Sequence, residues 1–171
     1  MISNKLFSLE SKTALVTGGS TGLGLMATAG LAAAGAKVFI VSRKLENCEE
    51  AANKINNCNF KGQVVPFKGD LSSETGISNI VNELHKKNSE LHVLVNNAGR
   101  TWGSNFGSFP YDAWEKVLNL NVSALFHLTQ KLVPLLAASA ERDSPTRIIN
   151  IGSVMGEIPM GDGAYSYAAS K

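Results

Sequence analysis

Three residues near the end of the sequence carry side chains suited to proton transfer at an oxygen atom. Tyr167 lies four residues before Lys171, a spacing that puts both side chains on one face of a helix. A lysine ammonium stabilises the phenolate of a neighbouring tyrosine and makes the phenol a usable proton donor near neutral pH. The hydroxyl of Ser153, aimed at the same oxygen, would stabilise developing charge. With a source of hydride, these groups predict the reduction of a carbonyl.

A glycine-rich stretch, residues 17–24, predicts where an anionic group binds. It follows a short apolar run typical of a strand, residues 14–16, and precedes a segment of helix formers, residues 23–34. Glycines allow backbone conformations that a Cβ forbids, and they let a pyrophosphate approach the backbone amides. The N–H groups at the start of the helix then bind the anion. An ordinary tight turn without a ligand is the alternative interpretation of this stretch alone.

Short apolar runs alternate with amphipathic segments along the whole chain, which predicts an α/β fold with a doubly wound parallel sheet of the Rossmann type. The predicted strands are 14–16, 38–41, 63–67, 92–95 and 147–151. Helices are expected over 23–34, 45–55, from Ser72 or Ser73 to Leu84, and over 114–136, with Pro134 near the end of the last. Ligands bind beyond the carboxyl ends of parallel strands. Five polar or glycine residues each follow a predicted strand: Gly18, Arg43, Asp70, Asn96 and Ser153.

Composition excludes several classes of protein. The 171 residues are 44% hydrophobic and carry a net charge of +2, which fits one globular domain and favours neither nucleic acid nor an acidic membrane as a partner. The first residues lack the apolar segment of a signal peptide, and no run is long enough to span a bilayer. Cys48 and Cys58 are interpreted as reduced thiols of a cytoplasmic protein. The three histidines show no ligand spacing, so no metal site is predicted.

Several motifs occur in a fixed order: T-G-x-x-x-G-x-G at 17–24, Asp-Leu at 70–71, Asn-Asn-Ala-Gly at 96–99, Asn121, Ser153 and Tyr-Ala-Ala-Ser-Lys at 167–171. Over its whole length the chain resembles the short-chain dehydrogenase/reductase family. Within that family it is similar to the 3-oxoacyl-[acyl-carrier-protein] reductase-like subgroup linked to rhamnolipid synthesis, through residues 101–103, 114–117 and 149–154.

The resemblance implies a role for each motif residue. Tyr167 is the general acid or base, Ser153 orients the substrate oxygen, and Lys171 supports Tyr167 and bonds the nicotinamide ribose. Asn121 holds a water that links the lysine to a proton relay. Tyr165 also lies here, but Ala169 stands four residues on, so we expect Tyr165 to pack. The cofactor contacts implied are Thr17, Gly18, Ser20, Thr21, Gly22, Leu23, Gly24, Ser42, Arg43, Lys44, Asp70, Leu71, Asn97, Ala98, Gly99, Tyr167 and Lys171.

The end of the second predicted strand indicates which nicotinamide cofactor is used. An NAD enzyme usually places an acidic residue there to bond the ribose 2′-hydroxyl, whereas this chain has Ser42, Arg43 and Lys44. A guanidinium suits a 2′-phosphate. NADP(H) is therefore the predicted cofactor, and Arg43 carries most of that inference, because Thr21 stands where some relatives have a basic residue.

The resemblance leaves three functions open. The first is an NADPH-dependent reductase of a 3-oxoacyl thioester or related ketone, favoured by apolar residues of the second loop, Met155, Ile158 and Met160. The second is a dehydrogenase of a sugar, polyol or other secondary alcohol. The third is a non-catalytic protein that binds NADP or a partner.

Family members continue beyond the position of Lys171, so we expect residues 1–171 to be a single NADP(H)-binding domain that lacks its C-terminal third. Relatives assemble through the long helix and the helix of Tyr167, which implies a dimer or tetramer for the full-length form. A small carbonyl or alcohol substrate is the other expected partner.

Overall fold

The structure, a computed structural model, describes residues 6–88, 90–158 and 163–171. Its strands are β1 Thr13–Thr17, β2 Lys37–Ser42, β3 Gln63–Lys68, β4 Val93–Asn96 and β5 Arg147–Asn150. Within these residues they form one parallel sheet in the order β3-β2-β1-β4-β5. The chain runs from β1 to one edge and then returns to build the other half. This is the doubly wound, Rossmann-type sheet that the sequence predicts.

Helices cover both faces of the sheet. They are α1 Gly22–Ala33, α2 Leu45–Asn56, α3 Glu74–Lys87, α4 Tyr111–Leu118, α5 Leu125–Ala138 and α6 Tyr165–Ala169. α1 and α2 pack against the face that carries Val16 and Ile40, while α3 and α5 pack against the face with Leu15 and Phe39. Neighbouring residues of a strand point to opposite faces, so a sheet covered on both sides needs continuous apolar strands. In the described residues, no helix combines the length and apolar character required to cross a bilayer.

Two connections follow the chemistry expected from the sequence. Gly35 takes a φ of 103° after α1, and the next N–H, that of Ala36, donates to the carbonyl of Leu31 at 3.0 Å. This hydrogen bond, which spans five residues, belongs to a Schellman motif, and glycine permits the backbone conformation that the motif requires. At the start of α3 the hydroxyl of Ser73 accepts from the N–H of Gly76 at 3.1 Å. The helix therefore begins at the cap that the sequence indicates.

The long helix predicted over 114–136 is interrupted by a π-helical segment, Asn119–Ala124, between α4 and α5. The backbone is helical at both junctions, so the three segments form one continuous helix. A π segment inserts extra residues into a helix and is frequent at functional sites. The spacing of apolar residues in the sequence does not indicate such an insertion. Pro134 lies inside α5, one turn before its end, as expected.

The helix that bears Tyr167, α6, is assigned over Tyr165–Ala169, and Lys171 follows two residues later as the last residue of the sequence. The N–H of Lys171 donates to the carbonyl of Ala168 at 3.2 Å, three residues earlier, so the backbone still turns at the lysine.

Candidate active site and cofactor cleft

The turn between β1 and α1 has the shape and the donors needed to hold an anion. Gly18 and Gly22 have φ of 65° and 52°, where side chains are disfavoured. A Cβ on Gly22 would meet open space, whereas one on Gly24 would collide with the Gly18 carbonyl. Gly24 therefore lets the helix pack closely on the turn. The N-cap, Thr21, makes no side-chain cap hydrogen bond, so the first N–H groups of α1 are available to a phosphate.

A cleft of about 290 Å³ opens beyond the carboxyl ends of β1, β2, β3 and β4. This is the edge at which ligands bind in parallel sheets. Residues from the predicted cofactor set that line it are Gly18, Thr21, Ser42, Arg43, Asp70, Leu71, Asn97, Ala98 and Gly99. Other members of that set lie outside the lining of this cleft: Thr17, Ser20, Gly22, Leu23, Gly24, Lys44, Tyr167 and Lys171. The cleft thus corresponds to the adenosine half of the predicted site.

Thr17 shapes the cleft from behind. Its side chain is buried, and its hydroxyl accepts from the N–H groups of Asn97 and Ala98, each at 3.0 Å. The Asn97 amide nitrogen donates in return to the carbonyls of Thr17 at 2.9 Å and Gly18 at 3.2 Å. The turn after β1 and the turn after β4 are therefore joined by four hydrogen bonds. In this arrangement the Thr17 side chain supports both turns of the site.

Arg43 is the cation at the β2 end of the cleft. Opposite it, a carboxylate oxygen of Asp70 accepts from the N–H of Ser72 at 2.9 Å. That hydrogen bond holds the pKa of Asp70 below its usual value, with a smaller contribution from the Arg43 charge, while partial burial opposes the shift. A second lining cation, Lys116, is already paired with Asp112 at 2.6 Å. Arg43 is thus well placed to receive an anionic group beside a fixed carboxylate.

Lys171 and Tyr167 are brought together at the rim of this cleft. The Lys171 ammonium lies 5.6 Å from the centroid of the Tyr167 ring and donates to the carbonyl of Ile151 at 2.8 Å. A Cβ built on Gly99, which lines the cleft, would lie 3.7 Å from the same ammonium. The lysine ammonium therefore lies close to the end of β5, to the cleft and to the Tyr167 ring.

Ser153 follows β5, close to the point where Lys171 is anchored. Its half-buried hydroxyl accepts from the N–H of Met155 at 3.3 Å and caps the short turn Val154–Gly156. That turn packs against α6, and Gly156 lies against the backbone of Lys171. The serine, the tyrosine and the lysine thus belong to one group of packed segments. Met160, expected to line the second loop, lies outside the described residues.

Asn121 is buried at the centre of the π segment. Its amide oxygen accepts from the N–H of Arg100 and its amide nitrogen donates to the carbonyl of Arg100, both at 2.9 Å. The nitrogen also donates to the hydroxyl of Ser170 at 2.8 Å. The side chain therefore links the loop after β4 to the end of α6.

Tyr165 lies in an aromatic cluster, in agreement with the packing role expected for it. Its ring makes edge-to-face contacts with Phe106 and Phe109, at centroid distances of 5.5 and 5.8 Å. Phe109 in turn contacts Trp114 at 6.2 Å. These rings pack the loop after β4 onto α4 and α6.

The family model described as "short chain dehydrogenase" matches residues 12–171. The chain belongs to the short-chain dehydrogenase/reductase family. The match begins just before β1 and includes the cleft, the π segment and α6. The family assignment and the Rossmann-type fold predicted from the sequence are both confirmed.

Curated short-chain dehydrogenases/reductases and a solved structure resemble this chain. It is 46% identical to the "Rhamnolipids biosynthesis 3-oxoacyl-[acyl-carrier-protein] reductase" of Pseudomonas aeruginosa, across 96% of this chain and 63% of that protein. It is 32% identical to the "5-keto-D-gluconate 5-reductase" of Escherichia coli, across 98% and 63%. The structure of a Pseudomonas aeruginosa RhlG/NADP active-site complex superposes with a TM-score of 0.89 at 46% identity, covering 96% of this chain and 63% of that one. The chain thus spans about two thirds of the length of these relatives.

Two residues of the site were missed by reasoning from the sequence. Arg100 lines the cleft, and its main chain binds Asn121. Ser170 accepts the remaining bond of Asn121, although it is 49 residues away in sequence. A polar residue directly before Lys171 is the only signal that could have pointed to Ser170, because the contact itself depends on the π segment.

Proposed function

We propose that this protein is an NADPH-dependent oxidoreductase that reduces a carbonyl, a 3-oxoacyl thioester or related ketone, to a secondary alcohol. The observation that carries the proposal is the Lys171 ammonium beside the Tyr167 ring, at the rim of a cleft built for a dinucleotide. A proton donor next to a cofactor site is what carbonyl reduction requires.

NADP(H) fits the residues of the cleft. The glycine turn and the start of α1 would hold the pyrophosphate, and Arg43 would hold the 2′-phosphate. Asp70 and Leu71 would lie at the adenine, with Asn97, Ala98 and Gly99 along the adenosine. The bound cofactor would supply the hydride. The NADP complex of the similar RhlG structure supports this choice of cofactor.

The remaining chemistry belongs to this chain's own side chains. In the reduction, the phenol of Tyr167 donates a proton to the developing alkoxide, and the hydroxyl of Ser153 orients the substrate oxygen. Lys171, whose ammonium donates to the carbonyl of Ile151, stabilises the phenolate that remains and, by resemblance to the family, would bond the nicotinamide ribose. Asn121 links the surrounding segments through its hydrogen bonds. By resemblance to the family, it would also bind a water that connects the lysine to a proton relay.

The substrate class rests on the rhamnolipid-pathway reductase, to which the chain is 46% identical, and on the apolar second-loop residues Met155 and Ile158. A sugar or polyol substrate is the second candidate, favoured by the similarity to the 5-keto-D-gluconate reductase. A panel containing a short 3-oxoacyl thioester and 5-keto-D-gluconate separates the two by comparing kcat/KM.

The test of the proposal is NADPH oxidation, followed by absorbance, in the wild type, in Tyr167→Phe and in Tyr165→Phe. Loss of the proton donor should lower kcat by at least about 100-fold. Tyr165→Phe removes the same atom two residues away, from the aromatic cluster, and should retain activity within about threefold. NADPH binding without turnover of any ketone would overturn the enzyme and leave a non-catalytic cofactor-binding protein.

We also infer that the protein is a cytoplasmic homo-oligomer, a dimer or tetramer, associating through the long helix. Val122, Phe126 and Val133 lie on one side of the π segment and α5, and they are 46%, 60% and 46% exposed. Apolar side chains at helical spacing on a surface are typical of an interface. Phe126→Glu should shift the mass measured by sedimentation equilibrium toward the monomer, whereas Glu83→Gln on α3 should not. A monomeric wild type would contradict the inference.

A further inference from the structure

Ser170 connects two parts of the site that are distant in sequence. Its hydroxyl accepts from the amide nitrogen of Asn121 at 2.8 Å and donates to the main-chain carbonyl of Tyr167 at 2.7 Å. The other end of the link is fixed, because both the N–H and the carbonyl of Arg100 bind the Asn121 amide. One path of hydrogen bonds therefore runs from the cleft to the backbone of the tyrosine.

From this path we infer that Ser170 is a positioning residue, through which Asn121 sets the place of Tyr167 and Lys171 relative to the cleft. The inference rests on the proposed reductase function. It gives Asn121 a mechanical task in addition to any water it holds, since both polar atoms of its side chain are used by Arg100 and Ser170.

Contacts at both ends of α6 fix its position relative to the rest of the site. At its start, Tyr165 packs against Phe106 and Phe109. At its end, the Ser170 hydroxyl joins the helix to the buried Asn121. Misplacing a reacting group by about 1 Å can cost a factor of 100 in rate, so a contact that holds the tyrosine affects the proton transfer.

The chain offers a matched pair of serines for the test. Ser170→Ala removes the linking hydroxyl, and Ser170→Thr retains one. Ser166, in the same helix, is buried, and within the described part of the chain its hydroxyl has no hydrogen-bond partner. Ser166→Ala therefore removes the same atom from the same helix without breaking a link.

Two readouts decide the inference, both in the wild type and these three variants. In the pH–rate profile for NADPH oxidation, Ser170→Ala should lower kcat about tenfold and shift the pH at which the rate is half-maximal. Ser170→Thr should restore the wild-type profile. Hydrogen exchange of residues 165–171 should be faster in Ser170→Ala alone. A Ser170→Ala profile identical to the wild type, or one matched by Ser166→Ala, overturns the inference.

The exchange measurement separates this inference from the proposed function. If the wild type oxidises no NADPH, the proposed reductase activity fails, and the exchange of α6 still tests the link. If the wild type is active and Ser170→Ala shows neither faster exchange nor an altered profile, Ser170 positions nothing, and the reductase assignment stands.

Discussion

Arg43 is the residue on which we expect most of the choice between NADP(H) and NAD(H) to depend. It lines the cleft at the end of β2, near the fixed carboxylate of Asp70. A guanidinium can form two parallel hydrogen bonds with a phosphate, whereas a 2′-hydroxyl offers it no charge to pair with. One substitution, at Arg43, should therefore remove the selectivity for NADP(H) over NAD(H).

We expect Arg43→Ala to weaken NADPH binding about 30-fold, because a charged hydrogen bond contributes roughly 1.5–3 kcal/mol. NADH binding should change less than about threefold. Fluorescence titration of both cofactors measures the two Kd values. Lys68→Ala is the control: Lys68 is an exposed cation at the end of β3 and does not line the cleft. Equal losses for both cofactors in Arg43→Ala would contradict the assignment.

Residue types and spacing predict Tyr167, Lys171 and the cleft residues, because the cleft residues follow apolar strands and the tyrosine–lysine spacing is that of one helix face. Ser170 and Arg100 could not be found in this way. Their functional contacts are made with Asn121, and such long-range contacts exist only once the helix and the loop are packed. The contact predicted between Thr17 and the cofactor stays a prediction; in the structure the Thr17 hydroxyl accepts from the backbone N–H groups of Asn97 and Ala98.

At the scale of elements, the close packing of α1 on the glycine turn requires a glycine at position 24 but not at position 30. A Cβ on Gly24 would collide with the Gly18 carbonyl, which is backbone and cannot rotate away. A Cβ on Gly30, in the same helix, would meet nothing within 4 Å. The sequence assigns Gly24 to the cofactor motif, but it does not show that a side chain would collide at Gly24 and fit at Gly30.

Gly24→Ala should therefore destabilise the protein by about 1–3 kcal/mol, the usual range for overpacking, and weaken NADPH binding as the turn shifts. Gly30→Ala should stabilise it by about 0.5–1 kcal/mol, because alanine restricts the unfolded chain and favours the helix. Urea unfolding of the two variants gives both free energies. A similar change in the two would show that the close approach at Gly24 is unimportant.

The π segment is the element whose form was least predictable. Apolar spacing predicts a helix over 114–136, and a helix is found there, but the π segment within it has no signature in the hydrophobic pattern. What fixes it is the buried amide of Asn121 bound to the main chain of Arg100. Tertiary hydrogen bonds of this kind override local propensity.

At the scale of the whole molecule, we expect stability to depend on pH through His92, a histidine at the opposite end of the sheet from the site. The Nδ1 atom of His92 accepts from the N–H of Thr13 at 3.1 Å, joining the starts of β1 and β4. Burial lowers the pKa of His92, the nearby Lys12 charge lowers it further, and Glu90 and Glu141 act in the opposite direction. A protonated Nδ1 could not accept the bond.

Because the pKa of His92 is lower in the folded state than in the unfolded chain, the unfolded state binds more protons. The contribution of His92 is therefore fully present above the unfolded value of about 6.5 and is lost as the pH falls below it. Urea midpoints measured at pH 7.5 and 5.5 should fall with acidity in the wild type. The fall should be smaller in His92→Asn, whose amide oxygen accepts without titrating. An equal fall in both proteins would exclude His92 as the cause.

The hydrogen bonds between Thr17 and Asn97 limit the conformational freedom that the turns of the cleft would lose when a ligand binds. Because the turns after β1 and β4 are hydrogen-bonded to each other, they form one wall of the cleft before anything binds. Less of the binding energy is then consumed in ordering these turns, so part of the affinity for a dinucleotide should come from preorganisation of this wall.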